Sequence, residues 1–421
     1  MSRPPVKLSH RCSDASQPIS YFMKQAVENP DLITLAAGLV DPSSLPVGPV
    51  TAALDRLLGE TATAQAALQY GTTQGYAALR EMLLHRTTAL DGRTPDQLGL
   101  TVDNVVITTG SQQLLYLLTE MLCDPGDLVI TETPTYFVFL GLAQTLGVRT
   151  VGVPMDDDGM RIDALEATLS RLERTGQLDR LRFIYTCDYF QNPSGLTLSA
   201  PRRQRLLELA RQYSRGQRLL IVEDAAYREL RYDGPDVPSI KSLDTDNSQV
   251  VLAMSFSKSL APGLKTGYGL MPRELVEAVA GVKGSHDFGS NNLAQHLIAR
   301  LIETGAYDEH VGRVRALYQR KRDVLLAALT EAFPAGSGVR WTRPGGGLYV
   351  WLSFADGVDT GPDGTLLKAA LREGVLYVPG AFCCPPGEDS QRNAIRLCFA
   401  PVPIEQIGEA VRRLARAAAS A

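Results

Sequence analysis

Short apolar runs alternate with longer helical patterns between residues 100 and 270, and this alternation strongly constrains the fold. The runs have the length of strands, and the gaps between them have room for crossover helices. Such alternation predicts a mostly parallel sheet that helices cover on both faces, an α/β fold. The predicted strands are residues 105–109, 128–131, 183–186, 219–223, 250–254 and 267–270.

The pattern changes after about residue 290 and predicts a second, smaller α+β domain. A helical stretch over residues 293–333 precedes strand-like runs at 348–354, 375–378 and 395–399. A final amphipathic helix follows Pro403, with one apolar face. That face comprises Ile404, Ile407, Val411 and Leu414. Because 421 residues suffice for two domains, we expect a large domain at 46–290 and a small domain formed by 1–45 and 291–421.

Charge and composition exclude several classes of protein. The 46 acidic and 42 basic residues leave a net charge of -4, which argues against nucleic acid or anionic lipid as the main partner. The first ten residues lack an apolar signal segment, and no uncharged apolar run approaches the ~18 residues of a membrane span. We therefore expect a cytoplasmic protein with no membrane partner. The six cysteines and five histidines lack metal-ligand spacing, so we expect reduced thiols and no metal site.

Polar residues follow three of the predicted strands, at the sheet edge where ligands of such folds gather. Ser111 and Gln112 follow the first strand and open a helix, whose free N–H groups could bind an anion. Asp224 ends another strand and could pair with a protonated ring nitrogen. Lys258 follows a third strand, and its amine could form a Schiff base with a carbonyl.

Each of these features also has an ordinary structural explanation: a strand–helix turn, a solvated loop acid or a surface lysine. Lysine is scarce in this chain, however, since only eight of its 42 basic residues are lysines. An anion cradle, an acid and an amine at three strand ends together meet the needs of a single cofactor.

Seven sequence blocks, in this order, resemble the fold-type I pyridoxal phosphate (PLP) enzymes, and within them the class I/II aminotransferases. They span roughly residues 35–400 and are most similar to the branch of 2-aminoadipate and multisubstrate aromatic aminotransferases. The blocks contain Gln69-Tyr70-Gly71, Thr109-Gly110-Ser111-Gln112-Gln113, Glu132-Thr133-Pro134-Thr135-Tyr136, Gln191-Asn192-Pro193, Glu223-Asp224 with Tyr227, Ser255-Phe256-Ser257-Lys258 and Ile395-Arg396-Leu397.

The resemblance implies PLP as the cofactor and assigns roles around its ring. Lys258 would hold PLP as a Schiff base and then move the proton at the substrate Cα. Asp224 would pair with the ring nitrogen, while Asn192 and Tyr227 would hydrogen-bond the ring oxygen O3′. Tyr136 would stack on the ring face.

The resemblance also implies a phosphate site, a substrate site and a dimer. Tyr70 would reach the phosphate of the neighbouring subunit, so a homodimer would share its active sites. Arg396 would bind the substrate α-carboxylate, with Gly38 and Asn192 beside it. The residues implied for the subunit's own phosphate site are Ser111, Gln112, Ser255, Ser257 and Lys265.

The implied reaction moves an amino group between an α-amino acid and a 2-oxo acid. Lys258 and Asp224 would serve β- or γ-elimination, replacement or oxidation equally well, so this alternative stays open. A transcription regulator with an aminotransferase-like sensor is disfavoured, because only about 35 residues precede the blocks and the net charge is negative. Two residues depart from the pattern of this family: Lys265 stands where the family usually has arginine, and Asp188 stands where proline is common. These departures favour a specialised substrate.

Overall fold

The computed structural model describes residues 6, 7, 9, 11, 28, 29, 31–387 and 391–421. Its strands are β1 Ile33–Thr34, β2 Val105–Thr108, β3 Leu128–Thr133, β4 Arg149–Asp156, β5 Gly159–Met160, β6 Leu181–Thr186, β7 Leu220–Asp224, β8 Val250–Ser255, β9 Gly267–Leu270, β10 Arg340–Trp341, β11 Tyr349–Ser353, β12 Val375–Leu376, β13 Val378–Pro379 and β14 Ala394–Cys398. Its α-helices are α1 Val47–Gly59, α2 Thr61–Leu68, α3 Ala77–Leu90, α4 Gly110–Leu122, α5 Phe137–Thr145, α6 Ile162–Arg174, α7 Ala200–Gln212, α8 Phe256–Ser259, α9 Arg273–His286, α10 Asn292–Glu303, α11 Ala306–Ala332, α12 Thr365–Arg372 and α13 Ile404–Ala419.

An eight-stranded sheet has the order β2-β9-β8-β7-β6-β3-β4-β5. Strands β8, β7, β6, β3 and β4 run parallel, whereas β9 is antiparallel to both of its neighbours. Every residue of β2, β3 and β7 is buried, because helices cover both faces of the sheet. The predicted α/β class and mostly parallel sheet are confirmed.

The sequence pattern missed strand β4, which lies near one edge of the large sheet. Only Val153 of its eight residues is buried, so β4 lacks the continuous apolar run that marks the inner strands. An edge position relaxes the demand for apolar side chains and weakens the sequence signal.

A second, antiparallel sheet has the order β10-β11-β14-β13, and β1 pairs separately with β12. The predicted run 375–378 therefore supplies strands to two sheets. Gly305, at a φ of 75°, separates α10 from α11 within the predicted helical stretch. Ile404 at the start of α13 is 37% exposed, unlike the buried Ile407, Val411 and Leu414.

One hydrophobic cluster continues from the large sheet into the smaller one, joining Val106 of β2 to Leu397 of β14. The boundaries of the two domains stay a prediction. In the part of the chain that the structure describes, no helix combines the length and apolarity needed to cross a lipid bilayer.

Candidate active site

A cavity of about 370 Å³ lies between the large sheet and strands β11 and β14 of the smaller sheet. Its floor is formed at the carboxyl ends of β2, β3, β6, β7 and β8 by Thr109, Tyr136, Cys187, Asp224 and Ser255. This is the edge at which a parallel sheet places its ligands.

The cavity brings together twelve of the thirteen residues that the sequence singled out. These are Gly38, Ser111, Gln112, Tyr136, Asn192, Asp224, Tyr227, Ser255, Ser257, Lys258, Lys265 and Arg396. Tyr70 lies outside it, with 82% of its surface exposed, and its ring meets the exposed Phe288 edge-on at 5.9 Å between centroids. The functional roles of all thirteen residues stay predictions.

Asp224 is a buried carboxylate, and the two hydrogen-bond donors found for it in the described chain are both uncharged. The Tyr185 hydroxyl donates to its Oδ2 at 3.0 Å, and the Ala226 N–H donates to its Oδ1 at 3.3 Å. Burial raises the pKa of Asp224 to about 6, and these two hydrogen bonds only partly oppose the shift. A cation placed against this carboxylate would restore its ionised form.

The Lys258 amine enters the cavity from the first turn after β8. Its Nζ donates to the carbonyl oxygen of Gly38 at 2.7 Å. Burial lowers the pKa of Lys258 to about 8, and the positive charges of Arg396 and Lys265 act in the same direction. Near physiological pH this amine is therefore neutral far more often than an ordinary lysine, although its protonated form still predominates. The neutral form is the one that acts as a nucleophile or a base.

The helix α4 begins at the cavity wall without a side-chain cap at Thr109. Its first N–H groups lack intrahelical acceptors and form a site for an anion. Gly267 on β9 permits close approach, because a Cβ there would lie 2.7 Å from the Ser111 nitrogen. The side-chain Oε1 of Gln112 is buried and has no hydrogen-bond partner among the described residues. This oxygen can only accept, so an anion at this site would be bound by the Nε2 donor of the same amide.

Further polar groups lie around the same end of the cavity. The Ser255 hydroxyl donates to the Ser257 hydroxyl at 3.0 Å and also accepts from the Ser257 N–H at 3.2 Å. Lys265 is exposed and lines the cavity from a left-handed backbone conformation with a φ of 47°. Two hydroxyls and an ammonium group thus accompany the start of α4.

Arg396 of β14 lines the cavity from the smaller sheet and is almost fully buried. Its guanidinium donates to Asn192 Oδ1 at 2.9 Å and to the Ala36 carbonyl at 2.5 Å. Its Nε has no hydrogen-bond partner among the described residues, which leaves a donor available to a second anionic group.

The donor set fits PLP. An uncapped helix start and nearby donors suit its phosphate, a buried carboxylate suits its ring nitrogen, and a buried amine with a lowered pKa suits its carbonyl. Among the described lining residues, Lys258, Lys265 and Arg396 are basic and Asp224 is the one acid. This excess of positive charge favours a phosphate together with a substrate carboxylate.

The sequence reasoning missed several apolar and aromatic lining residues. They are Leu39, Phe137, Val138, Cys187, Pro262 and Tyr349. Residues next to a motif, such as Phe137 after Tyr136, could have been found by their position. Tyr349 could not, because the apolar run from 348 to 354 indicates only a strand.

Asp188 does not line the cavity, although it follows a strand whose end does. It is buried with Arg203, whose guanidinium forms ion pairs with Asp188 and, at 3.1 Å, with Glu223. Arg203 also lies 4.1 Å from the centroid of the Tyr189 ring. The acid is thus paired away from the cavity. Within the described ranges, no cluster of three or more His, Cys, Asp or Glu side chains could hold a metal ion.

Known proteins resemble this chain over nearly its whole length. Residues 30–414 match the family model described as aminotransferase class I and II. Aromatic-amino-acid aminotransferase 1 of Thermococcus litoralis is 38% identical over 390 residues, which cover 92% of this chain and 88% of the relative. The 2-aminoadipate transaminase of Thermus thermophilus is 35% identical over 394 residues, with coverage of 93% and 91%.

Solved structures resemble the fold equally closely. The crystal structure of Pyrococcus horikoshii kynurenine aminotransferase, in complex with PMP, KYN as substrates and KYA as products, has a TM-score of 0.89. It is 33% identical, with 98% of this chain and 97% of that chain covered. The chain belongs to the class I and II aminotransferases and is a PLP-dependent enzyme that transfers amino groups between amino acids and oxo acids.

Proposed function

We propose that this aminotransferase prefers α-amino acids with aromatic or large apolar side chains. The observation that carries the proposal is the cavity wall, which includes Leu39, Phe137, Val138 and Tyr349. The guanidinium carbon of Arg396 lies 5.3 Å from the ring centroid of Phe137 and 4.6 Å from that of Tyr349. Aromatic and aliphatic groups in such a wall favour an apolar side chain, since no hydrogen bond compensates the burial of a polar one. The names of the relatives that act on aromatic amino acids and on kynurenine support the same class.

Arg396 is proposed to orient the substrate. Its guanidinium is already anchored to Asn192 and Ala36, and within the described ranges its Nε has no partner. A carboxylate approaching this Nε therefore meets a fixed donor. A bound carboxylate would place the substrate Cα toward Lys258, whose amine lines the same cavity. Because the guanidinium is already held in place, little of the substrate's binding energy is needed to order it.

PLP, when bound, supplies a ring that withdraws electrons from the substrate Cα. We propose that Lys258 provides the covalent attachment point and then takes and returns the Cα proton, which its lowered pKa permits. Asp224 would keep the ring nitrogen protonated, while Asn192 and Tyr227 would bind the ring oxygen. Tyr136 would cover the ring face.

The phosphate is proposed to bind at the start of α4. The donors there would be Ser111, Gln112, Ser255, Ser257 and Lys265. The charge of Lys265 would replace the arginine that is usual in the family, without its planar pair of donors.

A homodimer with shared active sites is proposed to complete each cavity. Tyr70 is 82% exposed and Phe288 is 69% exposed, which is unusual for neighbouring aromatic residues unless another surface covers them. Tyr70 would reach the phosphate of the partner's cofactor. We further propose that the dimer acts in the cytoplasm.

The test compares kcat/KM for phenylalanine, tyrosine, leucine, aspartate and 2-aminoadipate with 2-oxoglutarate as the acceptor. Aromatic donors should be favoured over both dicarboxylic donors. Leu39→Ala should reduce the aromatic preference, because Leu39 lines the cavity. Leu45→Ala is the matched control, since Leu45 is 38% exposed and does not line it. A preference of the wild type for a dicarboxylic donor would overturn the proposal.

A further inference from the structure

Tyr349 is a buried member of the cavity wall. It begins β11, pairs in register with Cys398 of β14 and is 1% exposed. Its side chain lines the cavity together with Tyr227 and Arg396. A buried hydroxyl in such a position needs a partner, because an unsatisfied polar group costs free energy.

The partner of the Tyr349 hydroxyl is the hydroxyl of Tyr227, at 3.2 Å. The two rings meet edge-on, with centroids 5.6 Å apart and an interplanar angle of 78°. The Asn192 side-chain amide also donates toward the Tyr227 oxygen, at 3.5 Å. Burial raises the pKa of both tyrosines above the ordinary value, so both hydroxyls keep their protons at neutral pH.

The direction of the tyrosine–tyrosine hydrogen bond determines what Tyr227 can offer to a ligand. If Tyr227 donated to Tyr349, its only proton would point away from the cofactor site. If Tyr349 donates, the Tyr227 oxygen accepts from Tyr349 and Asn192, and its own proton is free to point into the cavity. Accepting two hydrogen bonds also makes Tyr227 a stronger donor, because hydrogen bonds in a chain polarise one another.

Tyr349 also contacts Arg396, the residue proposed to bind the substrate carboxylate. Its ring centroid lies 4.6 Å from the guanidinium carbon of Arg396, a cation–π contact. Its hydroxyl occupies the space beside Gly38, where a Cβ would lie 2.7 Å from the hydroxyl oxygen. The Gly38 carbonyl in turn accepts from Lys258.

We propose that Tyr349 is a positioning residue whose hydroxyl donates to Tyr227 and so directs the Tyr227 proton toward the cofactor's ring oxygen. Its ring supports the Arg396 guanidinium from the same position. The inference rests on the proposed role of Tyr227 at that oxygen. The titratable or charged groups that act electrostatically on Tyr349 are Tyr227, Arg396, Cys398, Cys187 and Tyr136.

Tyr349→Phe tests the hydroxyl alone, since the ring against Arg396 is kept. The readout is the pH titration of the visible absorption of the holoenzyme without substrate. A weaker Tyr227 donor leaves more electron density on the ring oxygen, which makes the nearby Lys258 nitrogen more basic. The titration midpoint should therefore rise, in the same direction as in Tyr227→Phe but by less. The kcat should fall by about three- to tenfold, with KM for the amino acid nearly unchanged.

Tyr377→Phe is the matched control. Tyr377 is fully buried, and its hydroxyl donates to the Thr360 carbonyl at 3.2 Å, outside the cavity. It should lose stability without a change in the titration midpoint. If Tyr349→Phe titrates like the wild type while Tyr227→Phe shifts, the role of Tyr349 is overturned and that of Tyr227 stands. If neither variant shifts, both assignments are overturned.

Discussion

Replacement of Asp224 by Asn should stabilise the cofactor-free protein relative to wild type, increasingly so at higher pH. The carboxyl is 4% exposed, and burial raises its pKa from the ordinary 3.8 to about 6. The folded state therefore binds the proton more tightly than the unfolded state. The free energy of unfolding therefore falls as the pH rises from 3.8 to about 6, and it is not regained at higher pH.

The expected cost of the ionised carboxylate follows from the two pKa values. The raised pKa lowers the free energy of unfolding by about 1.5 kcal/mol at pH 5 and by about 3 kcal/mol at pH 8, so ~1.5 kcal/mol separates the two conditions. Asn cannot accept as many hydrogen bonds as the carboxylate, and loss of one from Tyr185 or Ala226 costs about 1 kcal/mol. That loss does not depend on pH, so it cancels when the two conditions are compared.

The assay is urea unfolding of the apo forms of wild type and Asp224→Asn at pH 5 and pH 8. The stability of the variant relative to wild type should rise by ~1.5 kcal/mol between the two values. Asp127→Asn serves as the control. Burial raises the pKa of Asp127, but hydrogen bonds from Arg182 and the Asp124 N–H, together with the charges of Arg182 and Arg180, outweigh burial and lower it. This substitution should be destabilising by a similar amount at both pH values. A pH-independent difference for Asp224→Asn would refute the reasoning.

Four other substitutions give distinct outcomes. Lys258→Ala should abolish the PLP adduct that borohydride reduces, and an adduct on another lysine would contradict the assignment. Lys265→Arg should preserve or tighten PLP binding in equilibrium dialysis, whereas a large loss would mean that the lysine has another task. Arg396→Gln should raise KM for the amino acid at least ~tenfold with the cofactor spectrum retained, since a charge-assisted contact contributes about 1.5–3 kcal/mol. Gly267→Ala should weaken PLP binding, because its Cβ would lie 2.7 Å from the Ser111 nitrogen; unchanged affinity would place the phosphate elsewhere.

Much of the fold could be predicted because its inner strands are buried on both faces. Continuous apolar runs mark β6, β7 and β8, and the predicted bounds differ from the observed ones by at most two residues at either end. The pattern was silent at β4, where burial is partial. It predicted the run 375–378 but not its division into β12 and β13, which belong to different sheets. Periodicity reports burial and spacing, whereas strand pairing depends on contacts distant in sequence.

The same limit applies to the cavity. Asp224 and Lys258 could be identified because a charged residue at the end of an apolar strand is conspicuous. Tyr349 could not, since its function depends on a contact with Tyr227, which lies 122 residues away in sequence. Asp188 stands where proline is common in the family, but its ion pair with Arg203, which is distant along the chain, could not be predicted from the sequence. Tertiary packing determines which way a side chain points after the end of a strand, and the local sequence does not reveal that packing.

The acid and the amine at the centre of this site do not neutralise each other. No ion pair joins Asp224 to Lys258 among the described residues; Asp224 accepts from Tyr185, and Lys258 donates to the Gly38 carbonyl. Burial instead shifts both pKa values toward the uncharged forms, to about 6 and about 8. A molecule with a protonated ring nitrogen at one end and a carbonyl at the other relieves both penalties at once. Cofactor binding should therefore stabilise the folded chain by more than its phosphate contacts alone supply, through linkage between binding and protonation.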